Sequence, residues 1–125
     1  MGNIIKTKAL VLSSIRWKES SKIATIYGEQ TGKIKIIARG ALRSNSFFSG
    51  KLESLFLTEV LIDIKSSRSL QVLREIEVID AFSKLRLDLD KFPFALAIVE
   101  VINQIVDQGH PDGVFFNFIL EMINA

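Results

Sequence analysis

The chain has no cysteine, one histidine, one tyrosine, one tryptophan and two prolines in 125 residues. These shortages exclude chemistry before anything suggests it. Without cysteine there is no disulfide and no thiolate zinc site within the chain, which fits a reducing compartment. With a single histidine, His110 in a Gly-His-Pro break, metal ligation has too few donors. No carboxylate pair sits beside a local base, so no acid–base or nucleophilic enzyme can be argued, and no cofactor is expected. Long apolar runs are also missing. The longest uncharged one, Phe92 to Val99, is well short of the roughly 18 residues that suggest a membrane span. Lys6 and Lys8 interrupt the N-terminal apolar stretch, so it does not read as a secretory signal.

What is present is enough for a packed core. The chain is 48% hydrophobic and 24% charged, without a low-complexity tract, which argues against disorder and coiled coil. The net charge of +2 hides an asymmetry. Between Met1 and Lys51 stand ten bases and only two acids, Glu19 and Glu29. Leu52–Asp80 and Ala81–Ala125 each carry three bases against six acids. A basic segment on a near-neutral chain points to a polyanion partner, with a solvated lysine-rich strand face as the plain alternative.

The first 80 residues read as strands: β-branched residues are frequent, glycines punctuate, and no proline precedes Pro93. Five candidates are Lys6–Trp17, Lys22–Glu29, Lys33–Arg39, Ser54–Ile64 and Leu70–Ile79. In the fourth, Phe56, Val60, Ile62 and Ile64 share a face. In the fifth, Leu70, Val72, Ile76 and Val78 do, opposed by Gln71, Glu75 and Glu77. Five short strands need closed edges, so we expect a small β barrel: a five-stranded OB-fold, with an SH3-like barrel as competitor.

After Asp80 the period turns helical, with helices expected over Phe82–Leu89, Phe92–Val106 and Val114–Ile123. Pro93 suits a first turn and Asp112 a cap. The second helix has one polar stripe, Glu100, Asn103, Gln104 and Asp107, and is otherwise apolar. These helices carry more apolar surface than one barrel wall covers. We expect a missing partner, either further helices absent from a truncated chain or, less favoured, a second copy. The expected division is an OB-fold nucleic-acid-binding domain over 1–80 and the start of an α-helical domain over 81–125.

Gly28-Glu29-Gln30-Thr31-Gly32-Lys33 resembles a phosphate loop only superficially. Its glycines are one residue too close, and Ile34 stands where a magnesium-holding hydroxyl belongs, so a hairpin turn is expected. Lys33 to Lys51 is more informative. By strand period Lys33, Lys35, Ile37 and Arg39 share a face. A Ser/Asn/Gly-rich loop follows, with Arg43, Lys51 and the aromatics Phe47 and Phe48. Bases that neutralise phosphates, hydroxyls that bond them and aromatics that stack on nucleobases are how single strands are held. The DNA-binding candidates are therefore Lys33, Lys35, Arg39, Arg43 and Lys51, with Arg16, Lys18 and Lys22 widening the track. Phe47, Phe48 and Trp17 are candidates for stacking. Against that, at least one of the two phenylalanines is expected to plug the open end of the barrel.

In series, Trp17-Lys18-Glu19-Ser20-Ser21-Lys22-Ile23, Gly32-Lys33-Ile34, Ala38-Arg39-Gly40-Ala41-Leu42-Arg43, Leu52-Glu53, Glu77-Val78-Ile79-Asp80-Ala81-Phe82 and Leu85-Arg86-Leu87-Asp88-Leu89 resemble the N-terminal part of the bacterial recombination mediator family RecO. The resemblance implies an OB-fold followed by a helical domain, in a cytoplasmic, nucleoid-associated protein that is not an enzyme. It implies binding of single- and double-stranded DNA, annealing of complementary strands, and work with single-strand-binding protein and RecR in recombinational DNA repair. Many family members also carry a cysteine zinc site in a later segment, which has no counterpart here. Two other functions stay open on the residues alone: an assembly scaffold that does not bind DNA, and an RNA-binding OB domain.

Overall fold

The computed structural model describes residues 3–124. Five strands are followed by three helices. The strands are β1 (Asn3–Trp17), β2 (Ser21–Gly28), β3 (Gly32–Ala38), β4 (Leu57–Ile64) and β5 (Gln71–Asp80). The helices are α1 (Ser83–Arg86), α2 (Lys91–Ile105) and α3 (Gly113–Asn124). The strands close into a barrel in the order β1-β2-β3-β5-β4. All neighbours are antiparallel except β3 and β5, which meet in parallel at Ile36–Gln71 and Ile37–Val72. β1 is long enough to serve two neighbours. Its first half pairs with β4 and its second half with β2. An irregularity between Val11 and Ser13 bends it from one role to the other.

Alternation along the strands fills the barrel with Ala9, Val11, Ala24, Ile26, Ile36, Val60 and Ile62, each at most 1% exposed. The loop after β3 closes one end by laying Ala41, Phe48 and Leu52 on this core. It is tied down where the Ser14 hydroxyl donates to the Leu52 carbonyl at 2.9 Å.

Several expectations change. β4 begins at Leu57, not Ser54, because the preceding residues turn. Leu55 adopts φ +71 and its N–H donates to the Val11 carbonyl, while the Phe56 N–H donates to the Glu53 carbonyl. The expected apolar face of β5 is also not continuous. A register shift against β4, with Arg74 as the extra residue between Leu73 and Glu75, brings Leu73 and Ile76 together in the barrel and separates Ile76 from Val72, while Val78 keeps the parity of Ile76 but is exposed. An inserted residue flips the period-two reading from that point onward. Gln71 is buried rather than solvated, and its amide clamps the β4–β5 hairpin by bonding Lys65 and Arg68.

The first helix is shorter than expected. It starts after Phe82, which takes a left-handed φ of +51 as its N–H bonds the Asp80 carboxylate. It ends before Asp88, whose carboxylate accepts from the N–H groups of Asp90 and Lys91 and so opens α2. Arg86 fixes this corner. It donates to the carbonyls of Ala81 and Ser54 and lies over the rings of Phe56 (4.6 Å) and Phe92 (5.3 Å). Burial holds its guanidinium pKa below the usual arginine value. Asp112 caps α3 as expected, accepting from the Phe115 N–H at 3.0 Å.

The helices pack on the outside of β1 and β2. Leu10 and Leu12 face outward where Ala9 and Val11 face inward, so β1 is apolar on both sides here. Leu10, Leu12 and Tyr27 join Ala95, Val99, Ile102, Phe116, Ile119 and Ile123 in a second core. Burying a ring the size of Phe116 contributes about 1.5–3 kcal/mol. Tyr27 stacks on Phe116 and meets Phe115 edge-on; burial first, and Asp112 second, push its hydroxyl pKa up. The far side of α2 and α3 stays open as an apolar groove of about 380 Å³, which includes Phe94, Val101, Ile105 and Met122. No helix among the described residues is long and apolar enough to cross a membrane.

Candidate nucleic-acid interface

The outer face of β1, β2 and β3 is a grid set by strand register. One cross-strand row is Ser13, Thr25 and Lys35. The next is Ile15, Ile23 and Ile37. In the third, Trp17 pairs with Ser21, and Arg39 directly follows Ala38, the partner of Lys22. Rows two residues apart along a strand are about 6.8 Å apart. An apolar row therefore lies between two polar rows, and Ile15 in it is 61% exposed.

Two grooves of about 420 Å³ each occupy this face. The first gathers Trp17, Lys18, Arg39 and Arg43 around Ser21 and Ile37. Its shape comes from two turns. Lys18 takes φ +55 in the β1–β2 turn and its ammonium sits 6.0 Å from the Trp17 ring. Gly40 takes φ +72, and the Arg43 side chain lies over it, 3.7 Å from where a Cβ would stand. The second groove holds Ser13, Thr25 and Lys35 on the sheet, walled by Asn103, Gln104 and Gln108 from the end of α2 and the loop after it. Among the described residues, no carboxylate lies within ion-pair distance of Lys18, Lys35, Arg39 or Arg43.

The expected binding residues divide by position. Lys18, Lys35, Arg39, Arg43 and Trp17 come together on the grid. Arg16 and Lys22 pair with each other on the opposite strand parity, at the barrel end that the 39–56 loop closes. Lys51 lies in that loop, half-buried. Lys33 lines the second groove beside Lys35, but its ammonium is engaged within the fold, donating to the carbonyls of Asn103 and Val106 at the end of α2. Phe48 packs on the barrel core, while Phe47 is 88% exposed.

Two parts of this face did not emerge from the sequence reading. Strand period places Ile37 on the basic face, but only the register of three strands brings Ile15 and Ile23 beside it. The polar stripe of α2 is visible in the sequence, but nothing local shows that Asn103 and Gln104 border the sheet.

Against this geometry, the comparisons with known proteins are specific. The family model Recombination protein O N terminal matches residues 1–82. A protein of Salinibacter ruber named DNA repair protein RecO is 33% identical over 122 residues, covering 98% of this chain and 47% of that protein. A protein of the same name from Desulforamulus reducens is 30% identical and covers 97% of this chain, and one from Clostridium novyi is 32% identical and covers 91%. The chain spans about half the length of the curated relatives it matches. With two-thirds of its residues under one family model and its similarity to these relatives running on through the helices, the chain belongs to the Recombination protein O family, whose members are named for DNA repair.

Proposed function

We propose that this chain is the single-stranded-DNA-binding half of a recombination mediator, acting without catalysis. The observation that carries the reading is the unpaired basic rim, Lys18, Lys35, Arg39 and Arg43, around an apolar row on one sheet face. Phosphates would lie against the bases, and nucleobase faces against Trp17 and the isoleucines. Arg16, Lys22, Lys51 and Phe47, at the adjoining barrel end, would extend the track. A duplex offers phosphates but hides its base faces, so the apolar row favours single strands over the weaker duplex binding that the bases alone would give.

The strand order, with its parallel β3–β5 closure, supports reading residues 1–80 as an OB-fold domain and residues 81–125 as the beginning of a helical one. The mechanism is charge neutralisation. Held on a cationic face, two complementary strands repel each other less, and bases not seated on the protein stay open to pair. Single-strand-binding protein and RecR enter as partners through family resemblance, in a cytoplasmic, nucleoid-associated setting.

The open apolar groove between α2 and α3 favours a second reading, an assembly scaffold whose helices dock a protein partner while the basic face serves solubility. Binding of labelled single-stranded DNA across a salt series, compared with RNA of the same sequence, tests the proposal. Salt-dependent binding that is weakened by Arg39→Glu with Arg43→Glu is expected. Absence of binding at low salt would favour the scaffold, and equal or tighter RNA binding would favour an RNA-binding domain.

A further inference from the structure

The groove between the sheet and the end of α2 differs in chemistry from the rest of the basic face. Its sheet side offers the hydroxyls of Ser13 and Thr25 and the ammonium of Lys35. Its helix side offers three primary amides, Asn103, Gln104 and Gln108, and among the described residues no carboxylate lines it. An amide carries a donor and an acceptor side by side, which is what the edge of a nucleobase presents and what a phosphate does not. Lys35 places an ammonium suited to a phosphate at the same place.

The wall is also held in position, which an amide reader needs. Contacts at Gly32 and Lys33 join it to β3. Lys33 bonds the carbonyls of Asn103 and Val106. Gln108 forms a bridge with Lys33, and the Gly109 N–H donates to the Lys33 carbonyl at 3.0 Å. The His110 backbone lies so close to Gly32 that a Cβ there would come within 2.7 Å of it. The sequence from Lys33 to Lys35 thus fixes the wall and faces the groove at once. Asn103 is half-buried, and Gln104 is spaced by a 3.2 Å bond from its amide to Glu100, while Gln108 stands exposed on the loop.

We infer that this groove takes one nucleobase of the bound single strand, read at its edge by the amides of Asn103, Gln104 and Gln108, and gives the protein a base preference that the barrel alone would lack. The inference rests on the proposed single-strand binding, and the test separates the two.

The probes are labelled dA, dC and dT homopolymers of equal length, bound to the 125-residue chain and to Gln104→Ala with Gln108→Ala. Both positions are exposed, and alanine favours the helix at Gln104, so folding is retained. For the parent chain, a spread of affinity among the homopolymers of about fivefold or more is expected, the scale of one amide–base contact. In the variant the spread should fall below about twofold, with the salt slope unchanged because no phosphate contact is lost. A parent chain that binds all three polymers equally, or a variant that keeps the parent's spread, overturns the base-reading groove and leaves single-strand binding standing. A parent chain that binds none of them overturns both.

Discussion

The barrel has two faces of opposite electrostatic character. On the outside of β4 and β5 stand Glu59, Asp63, Glu75 and Glu77, with Glu59 and Glu77 directly opposite each other. Bases answer some of these acids. Lys6 lies 3.4 Å from Glu59, and Arg74 and Arg68 lie 2.8 and 3.4 Å from Asp63. On the outside of β1, β2 and β3 the bases Lys18, Lys35, Arg39 and Arg43 have no such partner among the described residues. The surplus of positive charge in the first 51 residues is therefore not spread evenly. β1 carries it both ways: Lys6 and Lys8 run beside β4, and Lys18 lies past the bend at the other end. Charge that meets its counter-charge within the fold has little left for a ligand. Charge left unpaired raises the potential of one face, where a polyanion can collect it.

Reversing the unpaired face is expected to have the largest effect. Arg39→Glu with Arg43→Glu changes four units of charge, and single-strand affinity at low salt should fall by about two orders of magnitude. Four phosphate contacts imply a log–log salt slope near −2.8, of which the double variant should remove about half. Fluorescence anisotropy across salt measures both, and an unchanged slope would remove these residues from the interface.

Lys33 separates a base bonded within the fold from a free one. Lys33→Met keeps the aliphatic stem and loses the charged donor to two helix-end carbonyls, at a cost of about 2 kcal/mol in urea unfolding. Its DNA salt slope should match that of the parent chain. A slope lowered by about 0.7 with no change in stability would show that the ammonium meets a phosphate instead. A smaller effect is expected on the paired face. Glu75→Lys with Glu77→Lys should change affinity by less than about twofold at physiological salt, since fields there decay over about 8 Å. A much larger gain would mean that DNA wraps onto β4 and β5.

How far these features could be read ahead depends on how local their causes are. The strands surface within a few residues because alternation and turn residues are local, and so does the Asp112 cap, which needs only its own third neighbour. Lys35, Ile37 and Arg39 share their face as strand period requires. The β5 face departs from period two because a register shift adds a residue that no period announces. Lys33 has the same spacing as its neighbours, but its partner lies 70 residues away in α2, so no window of sequence contains the contact. Phe47 and Phe48 are equally apolar neighbours. Only the path of the loop sends one inward and leaves the other in water. The family resemblance identified the Leu85–Leu89 stretch without a reason for it. The structure supplies one in the contacts of Arg86 with Ser54 and of Asp88 with the first turn of α2.

The carboxylates of the paired face and of the helical corner stabilise the fold at neutral pH and lose that contribution in acid. Asp63 is held below the ordinary 3.8 first by its hydrogen bond from Arg74, then by the charge of Arg68. Asp88 is held below it by the N–H groups of Lys91 and Asp90. A carboxylate whose pKa is lower in the folded chain stabilises it fully above the unfolded value, near 3.9, and loses that contribution as pH falls through the folded value. Both groups therefore predict a fall in thermal midpoint that begins below about pH 5 and continues beneath pH 4. Asp63→Asn and Asp88→Asn should each lower the midpoint at pH 7 and flatten its decline in acid, so that variant and parent converge at low pH. Salt should weaken the Asp63 effect, which rests on ion pairs at the surface, more than the Asp88 effect, which rests on backbone N–H groups at a helix start. If salt weakens both equally, the Asp88 cap does not distinguish the helical segment from the paired face of the barrel, and the acid sensitivity is one of overall charge.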